Sequence, residues 1–334
     1  MKILITGGAG FMGSNMIHYL LRQYQDVQIV NLDLLTYAGN LESLTDIADD
    51  PRYQFVKGDI ADPRVLDQVV PGVDLIINYA AETHVDRSIL DARAFVQTNV
   101  NGVHELLEAV RRHGTPRFVH ISTDEVFGAV MEGESTEQSK FEPRSPYAAS
   151  KAAGDHLCHA YAVTYDVPVI VTHSVNYYGP HQFPEKLIPL FTMNLLEGKK
   201  VPVYGDGMQV REWIFTEDHC RAIDLIAQKG RLGEVYNIGT GYRVPNIEIT
   251  KKLFVLTGRD ESAIDYVADR RGHDRRYALN ADKLRTELGW EPQIAFDHGL
   301  AKTVEWYQTC GEWVNHCRTG AYKEYYEKQY INRV

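Results

Sequence analysis

Five residues of the 334-residue chain stand where proton transfer could be done: Thr123, Asp124, Glu125, Tyr147 and Lys151. Tyr147 and Lys151 form a Y-x-x-x-K pair, and on a helix that spacing puts both side chains on one face. Pro146 stands just before the pair, where a helix can open. Asp124 and Glu125 follow the Thr123 hydroxyl directly, after an apolar run over 117–121. Two carboxyls beside an alcohol that is being oxidised invite loss of water, because one can take a carbon-bound proton while the other protonates the departing hydroxyl. A plain alcohol oxidation needs neither acid.

The elements that must position these groups alternate in type. Apolar runs over 3–5, 27–32, 54–56, 74–78, 117–121 and 167–171 are too short for helices and are separated by amphipathic stretches. That alternation predicts an α/β fold built on a Rossmann-type, doubly wound parallel sheet. Such sheets place their sites at the carboxyl ends of the strands, where Ser122 and Thr123 fall. Val100, Val103, Leu106, Leu107 and Val110 recur at helical spacing, and Gly114 closes that crossover helix behind Arg111, Arg112 and His113. Past residue 175 the rhythm loosens at Pro180, Pro184, Pro189 and Pro202, and one more apolar run appears over 235–238. The expected division is a nucleotide-binding unit over 1–175, to which 212–243 returns, and a smaller, mixed substrate-binding unit over 176–334.

Gly7, Gly8, Gly10 and Gly13 form a glycine loop between the first strand and a helical pattern carrying Met16, Ile17, Leu20 and Leu21. Glycine lets the backbone approach a pyrophosphate, and the N–H groups of the helix start face its charge. Twenty residues on, Asp33 ends the second strand, where an acid accepts from both ribose hydroxyls of NAD and repels a 2′-phosphate. Asp59 and Ile60, at the end of the third strand, are placed to hold the adenine. With NAD in the fold, Tyr147 acquires a use as a base. Its pKa must fall by about 3 pH units, or roughly 4 kcal/mol. An ammonium about 5 Å away at an effective dielectric of about 20 supplies ~3 kcal/mol, and a cationic nicotinamide the rest.

Arg211, and the run from Asp269 through Arg270, Arg271, Gly272, His273, Asp274 and Arg275 to Arg276, read as sites for a second diphosphate, which suits the planar fork of arginine. A net charge of −10 with 44% hydrophobic residues is poorly suited to gripping nucleic acid, so no nucleic-acid partner is expected. Cys158, Cys220, Cys310 and Cys317 include no C-x-x-C pair and read as reduced thiols of a cytoplasmic protein. The opening residues are far short of a signal peptide or a membrane span, so no membrane partner is expected. His84 has no H-E-x-x-H or Cys/His cluster around it, and no metal is expected.

The chain resembles the extended short-chain dehydrogenase/reductase family, and within it the 4,6-dehydratase branch, over nearly its whole length. The resemblance is carried by Thr6-Gly7-Gly8-Ala9-Gly10-Phe11, by 35–41 and 80–88, by Ser122-Thr123-Asp124-Glu125-Val126, by Ser145-Pro146-Tyr147 with Lys151, and by 183–189 and 272–277. The Thr-Asp-Glu triplet is the mark of the dehydratases. The resemblance implies dTDP-glucose, or a related sugar nucleotide, as substrate. It implies oxidation at C4 by NAD with Tyr147, Thr123 and Lys151, then loss of water across C5 and C6 by Glu125 and Asp124, then return of the hydride to C6. It also implies that Gly7, Gly10, Phe11, Met12, Gly13, Asp33, Asp59, Ile60, Ala80, Ala81, Tyr147 and Lys151 hold NAD. His84, Thr123, Asn176, Glu185, Lys186, Leu187, Arg211, Asn246, Arg270 and His273 would hold the substrate, and a homodimer would form through paired helices.

The chain departs from the family pattern at Phe127, where a tyrosine is usual, and at His173, Val175 and Tyr177. That last segment is expected near nicotinamide and sugar. Rival readings are a UDP-sugar 4,6-dehydratase, a 4-epimerase, which has no need of Asp124 and Glu125, and a non-catalytic regulator that binds NAD and a sugar nucleotide.

Overall fold

Seven apolar runs become strands of one parallel sheet. In the computed structural model, which describes residues 1–270 and 272–319, the strands are β1 (Lys2–Thr6), β2 (Gln28–Asp33), β3 (Tyr53–Lys57), β4 (Leu75–Asn78), β5 (Phe118–Thr123), β6 (Val169–Ser174), β7 (Asn176–Tyr178), β8 (Val201–Tyr204), β9 (Val210–Phe215), β10 (Val235–Ile238), β11 (Arg243–Pro245) and β12 (Ile264–Val267). Arg271 of the basic run and the end of the 176–334 unit lie outside the described residues. The main sheet runs β10-β6-β5-β4-β1-β2-β3, with every pairing parallel. It is a Rossmann-type sheet, and the late strand β10 enters it beside β6.

A parallel sheet is covered on both faces, so its strands are nearly continuous apolar runs. Ile3 and Ile5 pack under the helices Phe11–Gln23 and Thr216–Lys229, whereas Leu4 between them packs under Val103–His113. Gly114 ends that last helix in the left-handed conformation, with Arg111, Arg112 and His113 in its final turn. The start of the same helix differs from the expectation. Residues Gln97–Gly102 form a π turn, and Asn99 is turned inward to bond both the N–H and the carbonyl of Glu82 as well as Ser150 Oγ. The wider turn exists to bring Asn99 to those partners, which local periodicity cannot register.

The remaining strands form a three-stranded sheet, β11-β9-β7, and a two-stranded one, β12-β8, around a separate core that includes Ile188, Phe191, Trp213, Phe215, Leu253 and Phe296. β9 pairs antiparallel with β11 and parallel with β7, so this smaller core is built on short, mixed pairings.

One buried group makes stability depend on pH. His219 is fully buried against the rings of Tyr177 and Tyr79, and neither ring nitrogen has a partner among the described residues. Burial alone pushes its pKa down to about 3. Because the folded value lies below the unfolded one, the unfolded chain binds the extra proton as pH drops from ~6.5, and stability falls by about 1.4 kcal/mol per pH unit in that window. Between about pH 6.5 and 5 the unaltered protein should therefore lose ~2 kcal/mol more than His219→Leu in urea unfolding. Parallel losses in the two proteins would show that His219 is not the titrating group.

Candidate active site

β1 ends at Thr6 and the chain turns through Gly7, whose φ is +68°. A Cβ on Gly7 would come within 2.6 Å of the Ala80 nitrogen, and one on Gly13 within 2.2 Å of the Gly7 carbonyl oxygen. Side chains are therefore excluded from a cradle that opens on the start of the helix Phe11–Gln23, whose cap residue Gly10 supplies no side-chain hydrogen bond. Asp33, at the end of β2, is held by the N–H groups of Ala9 (2.9 Å) and Leu35 (2.7 Å). The cavity over this cradle is lined by Gly7, Gly10, Phe11, Met12, Gly13, Asp33, Asp59, Ile60, Ala80 and Ala81 at one end. At the other end stand Thr123, Asp124, Glu125, Tyr147 and Lys151. A bare backbone at a helix start, an anchored carboxylate and a long cavity fit a dinucleotide without a 2′-phosphate.

The chemical end is assembled from two local devices. Ser145 caps the helix Pro146–Tyr165 through its Oγ, with Pro146 in the first turn, so Tyr147 and Lys151 lie on one inward face. Thr123 ends β5 and caps the short turn Asp124–Phe127, its Oγ1 accepting from the Glu125 N–H at 3.3 Å. The expectation has Lys151 and a cationic nicotinamide lower the Tyr147 pKa together; among the protein's own groups the balance goes the other way. Burial pushes the Tyr147 pKa well above its ordinary value, and the charge of Glu125 pushes the same way. Lys151 donates instead to the Ile121 carbonyl at 2.6 Å. In a dry pocket that also holds two acids, one ammonium does not offset the cost of a second anion.

The two carboxyls are set apart by their surroundings. Asp124 is 3% exposed and its Oδ2 has no partner among the described residues. Burial raises its pKa well above the ordinary range, and the charge of Glu125 raises it further. Glu125 is also raised by burial, but Arg270, Arg211 and Lys186 all face it and oppose that rise. Of the pair, Asp124 is thus the group kept protonated and Glu125 the one favoured to ionise, which is how one site holds an acid and a base at the same pH.

Glu125 also lines a second cavity, continuous in its residues with the first. There the structure brings together His84, Asn176, Glu185, Lys186, Leu187, Arg211, Asn246, Arg270 and His273. Arg270 Nε is buried without a partner among the described residues, and its Nη1 lies 3.5 Å from Asp86 Oδ1. Arg211 lies over the Tyr277 ring at 4.2 Å and donates to the Asp274 carbonyl. Glu185 is not free for a ligand in the way the sequence suggests, since its carboxylate accepts from Tyr37 (3.1 Å) and, through two hydrogen bonds of 3.0 Å, from Arg87. Tyr37, Asp86, Arg87 and Trp213 are site-forming residues that sequence reasoning missed. Arg87 and Glu185 are 98 positions apart, and no local pattern announces such a pair.

The departing residues divide. Val175 and Tyr177 line the first cavity. His173 does not lie near nicotinamide and sugar as expected: it packs onto Asp155 and the ring of Phe127, whereas Ser174, the next residue of β6, faces the other way and lines the first cavity. His173 and Phe127, two separate departures in sequence, are one packing contact in space.

A doubly wound sheet, a side-chain-free dinucleotide cradle and a Tyr/Lys face beside it define an extended short-chain dehydrogenase/reductase. The chain belongs to the family described as GDP-mannose 4,6 dehydratase, whose model matches residues 4–303. It is 50% identical to a dTDP-glucose 4,6-dehydratase of Streptomyces niveus over 317 residues, covering 94% of each chain. Among solved structures, a dTDP-glucose 4,6-dehydratase of Streptomyces venezuelae with NAD bound matches with a TM-score of 0.93 at 50% identity, covering 95% of this chain and 100% of its own. A UDP-glucose 4-epimerase of Thermotoga maritima matches with a TM-score of 0.86 at 30% identity, covering 92% of this chain and 99% of its own.

Proposed function

We propose that this chain is an NAD-dependent dehydratase that converts dTDP-glucose to its 4-keto-6-deoxy product. The observation that carries the reading is the Asp124–Glu125 pair, one carboxyl held protonated and the other facing three cations, at the strand end where the two cavities meet. NAD, when bound, supplies a hydride acceptor for C4, a hydride donor for C6 and a positive ring beside Tyr147.

Tyr147 takes the proton of the C4 hydroxyl, with Thr123 and Lys151 orienting the oxygen. The ketone so formed acidifies the C5 hydrogen, which Glu125 removes. Asp124, already protonated, gives its proton to the C6 hydroxyl as that group leaves as water. Glu125 then returns a proton to C5 as C6 is reduced, so the sugar has lost one water with no net oxidation. Arg211, Arg270 and His273 hold the diphosphate, and His84, Asn176, Glu185, Lys186, Leu187 and Asn246 shape the rest of the substrate site. Asp33 selects NAD against a 2′-phosphorylated cofactor by charge repulsion.

This reading divides the chain into an NAD-binding unit over 1–175, with 212–243 returning to it, and a mainly sugar-nucleotide-binding unit over 176–334. It carries with it a cytoplasmic homodimer. The four unpaired cysteines fit a reducing compartment, and no described helix is long and apolar enough to cross a membrane. The test is an isotope placed at one carbon. Deuterium at C4 of dTDP-glucose should reappear in the product's methyl group, since the cofactor is reoxidised within the same turnover. An unlabelled methyl group would overturn the mechanism, and a product that keeps its C6 hydroxyl would favour a 4-epimerase.

A further inference from the structure

A row of buried polar side chains crosses the main sheet beneath the helix Pro146–Tyr165. Thr6 Oγ1 donates to Asn78 Oδ1, Asn78 Nδ2 donates to His120 Nδ1 at 3.0 Å, and His120 Nε2 faces Asp155 Oδ1 at 3.5 Å. Asp155 Oδ2 accepts from Ser122 Oγ at 2.7 Å and lies 3.1 Å from His173 Nε2. The other ring nitrogen, His173 Nδ1, lies 3.2 Å from Asn237 Oδ1. Asp155 and His173 also line a cavity of about 420 Å³ that shares no lining residue with the cofactor cavity.

The hydrogen count in this row is determined by its ends. The Asn237 amide nitrogen donates to the Ser135 and Asn280 carbonyls, so its oxygen is what faces His173, and that oxygen can only accept. The Asp155 carboxylate can only accept as well, and Ser122 already donates to it. Both ring nitrogens of His173 thus face acceptors, and both must carry hydrogen. His120 differs, because its Nδ1 accepts from Asn78 and burial pushes its pKa down to about 3, which leaves it neutral. The rings of Phe127 (4.9 Å) and Phe141 (5.5 Å) pack on His173, a setting that receives a cation better than an aliphatic one does.

Asp155 stands one helical turn beyond Lys151. Burial penalises the Lys151 ammonium, and the Asp155 charge opposes that penalty. A buried carboxylate without partners of its own would take the ammonium as a partner, yet Lys151 donates to the Ile121 carbonyl. We propose that His173 is a positioning residue: as an imidazolium it keeps the Asp155 carboxylate on Ser122 and on itself, and so leaves the Lys151 ammonium on the Ile121 carbonyl, on the helical face it shares with Tyr147. The inference rests on the role given to Lys151 and Tyr147 in the proposed function. The other titratable groups around the ring are Lys151, His156, Cys158 and His159 on the same helix, His120 on β5, Glu137 and Lys140 on the segment 137–141, and Glu234 before β10.

The test begins with the unaltered enzyme. In NMR of isotope-labelled histidine, with His173 recognised by its contacts to the Phe127 and Phe141 rings, both ring nitrogens should be protonated at neutral pH. An unprotonated ring nitrogen at neutral pH would overturn the proposal. His173→Gln should lower kcat by about tenfold or more, as misplacement of a reacting group does, with KM within about twofold. His173→Arg, which keeps a cation beside Asp155, should recover part of that loss. His173→Gln with the kcat of the unaltered enzyme would also overturn it. Lys151→Met with normal turnover would overturn the reading of Lys151 and this role together, yet the imidazolium signals of the unaltered enzyme would persist.

Discussion

Glu125→Gln is expected to halt the reaction after the first oxidation, with kcat reduced by about 10²- to 10⁴-fold, the range that follows loss of a general base. The amide keeps the shape of the side chain, so the turn Asp124–Phe127 and its cap on Thr123 remain. In the proposed mechanism, oxidation at C4 needs Tyr147 and not Glu125. The variant should therefore accumulate bound NADH and 4-keto sugar, seen by absorbance and by mass, while exchange of the C5 hydrogen with solvent disappears. The complementary change is Asp124→Asn, which should still exchange the C5 hydrogen but expel the C6 hydroxyl slowly. The two phenotypes follow from the opposite settings of the carboxyls, Asp124 dry and protonated, Glu125 facing Arg270, Arg211 and Lys186. If Glu125→Gln turns over at the normal rate, the pair is only a turn and an epimerase should be sought instead.

Arg270→Gln should weaken sugar-nucleotide binding by about 2 to 5 kcal/mol, as loss of one partner of a desolvated charge pair does. Arg270 lines the second cavity half-buried, its Nε is buried without a partner among the described residues, and it does not line the cofactor cavity. NAD binding should be spared, and calorimetric titrations of the two ligands will separate the effects. Equal loss of both would mean a folding defect. A second consequence has a definite sign. Arg270 is the strongest of the cations that hold Glu125 down, so its removal raises the Glu125 pKa further. Glu125 then gains its proton at a higher pH, and the acid limb of kcat should move upward rather than downward. An unmoved limb would show that Arg270 does not act on Glu125.

What was readable in the sequence is what lies close together along the chain. The glycine loop occupies seven consecutive residues, Tyr147 and Lys151 share one helical turn, and Thr123, Asp124 and Glu125 are contiguous. Their geometry follows from strand, turn and helix alone. The strands of the main sheet were legible for a related reason, since a strand buried on both faces is apolar throughout. Where a segment departed from the expectation, as over Gln97–Gly102, the cause was a tertiary demand: Asn99 had to reach Glu82 and Ser150.

The chemistry of charge was not legible in that way. Nothing in the order Asp-Glu says which carboxyl keeps its proton, because the answer comes from burial and from Arg211 and Arg270, far along the chain. Nothing local pairs Arg87 with Glu185, or turns His173 from the nicotinamide side onto Asp155 and Phe127. The sequence by itself determined the sheet, the dinucleotide loop and the local placement of the groups proposed to react, since short-range spacing and hydrophobic periodicity are enough to build them. Only the tertiary structure decided their protonation states and the shape of the substrate cavity, because desolvation and Coulomb energy depend on which distant segments exclude water from a group and which charges they bring beside it.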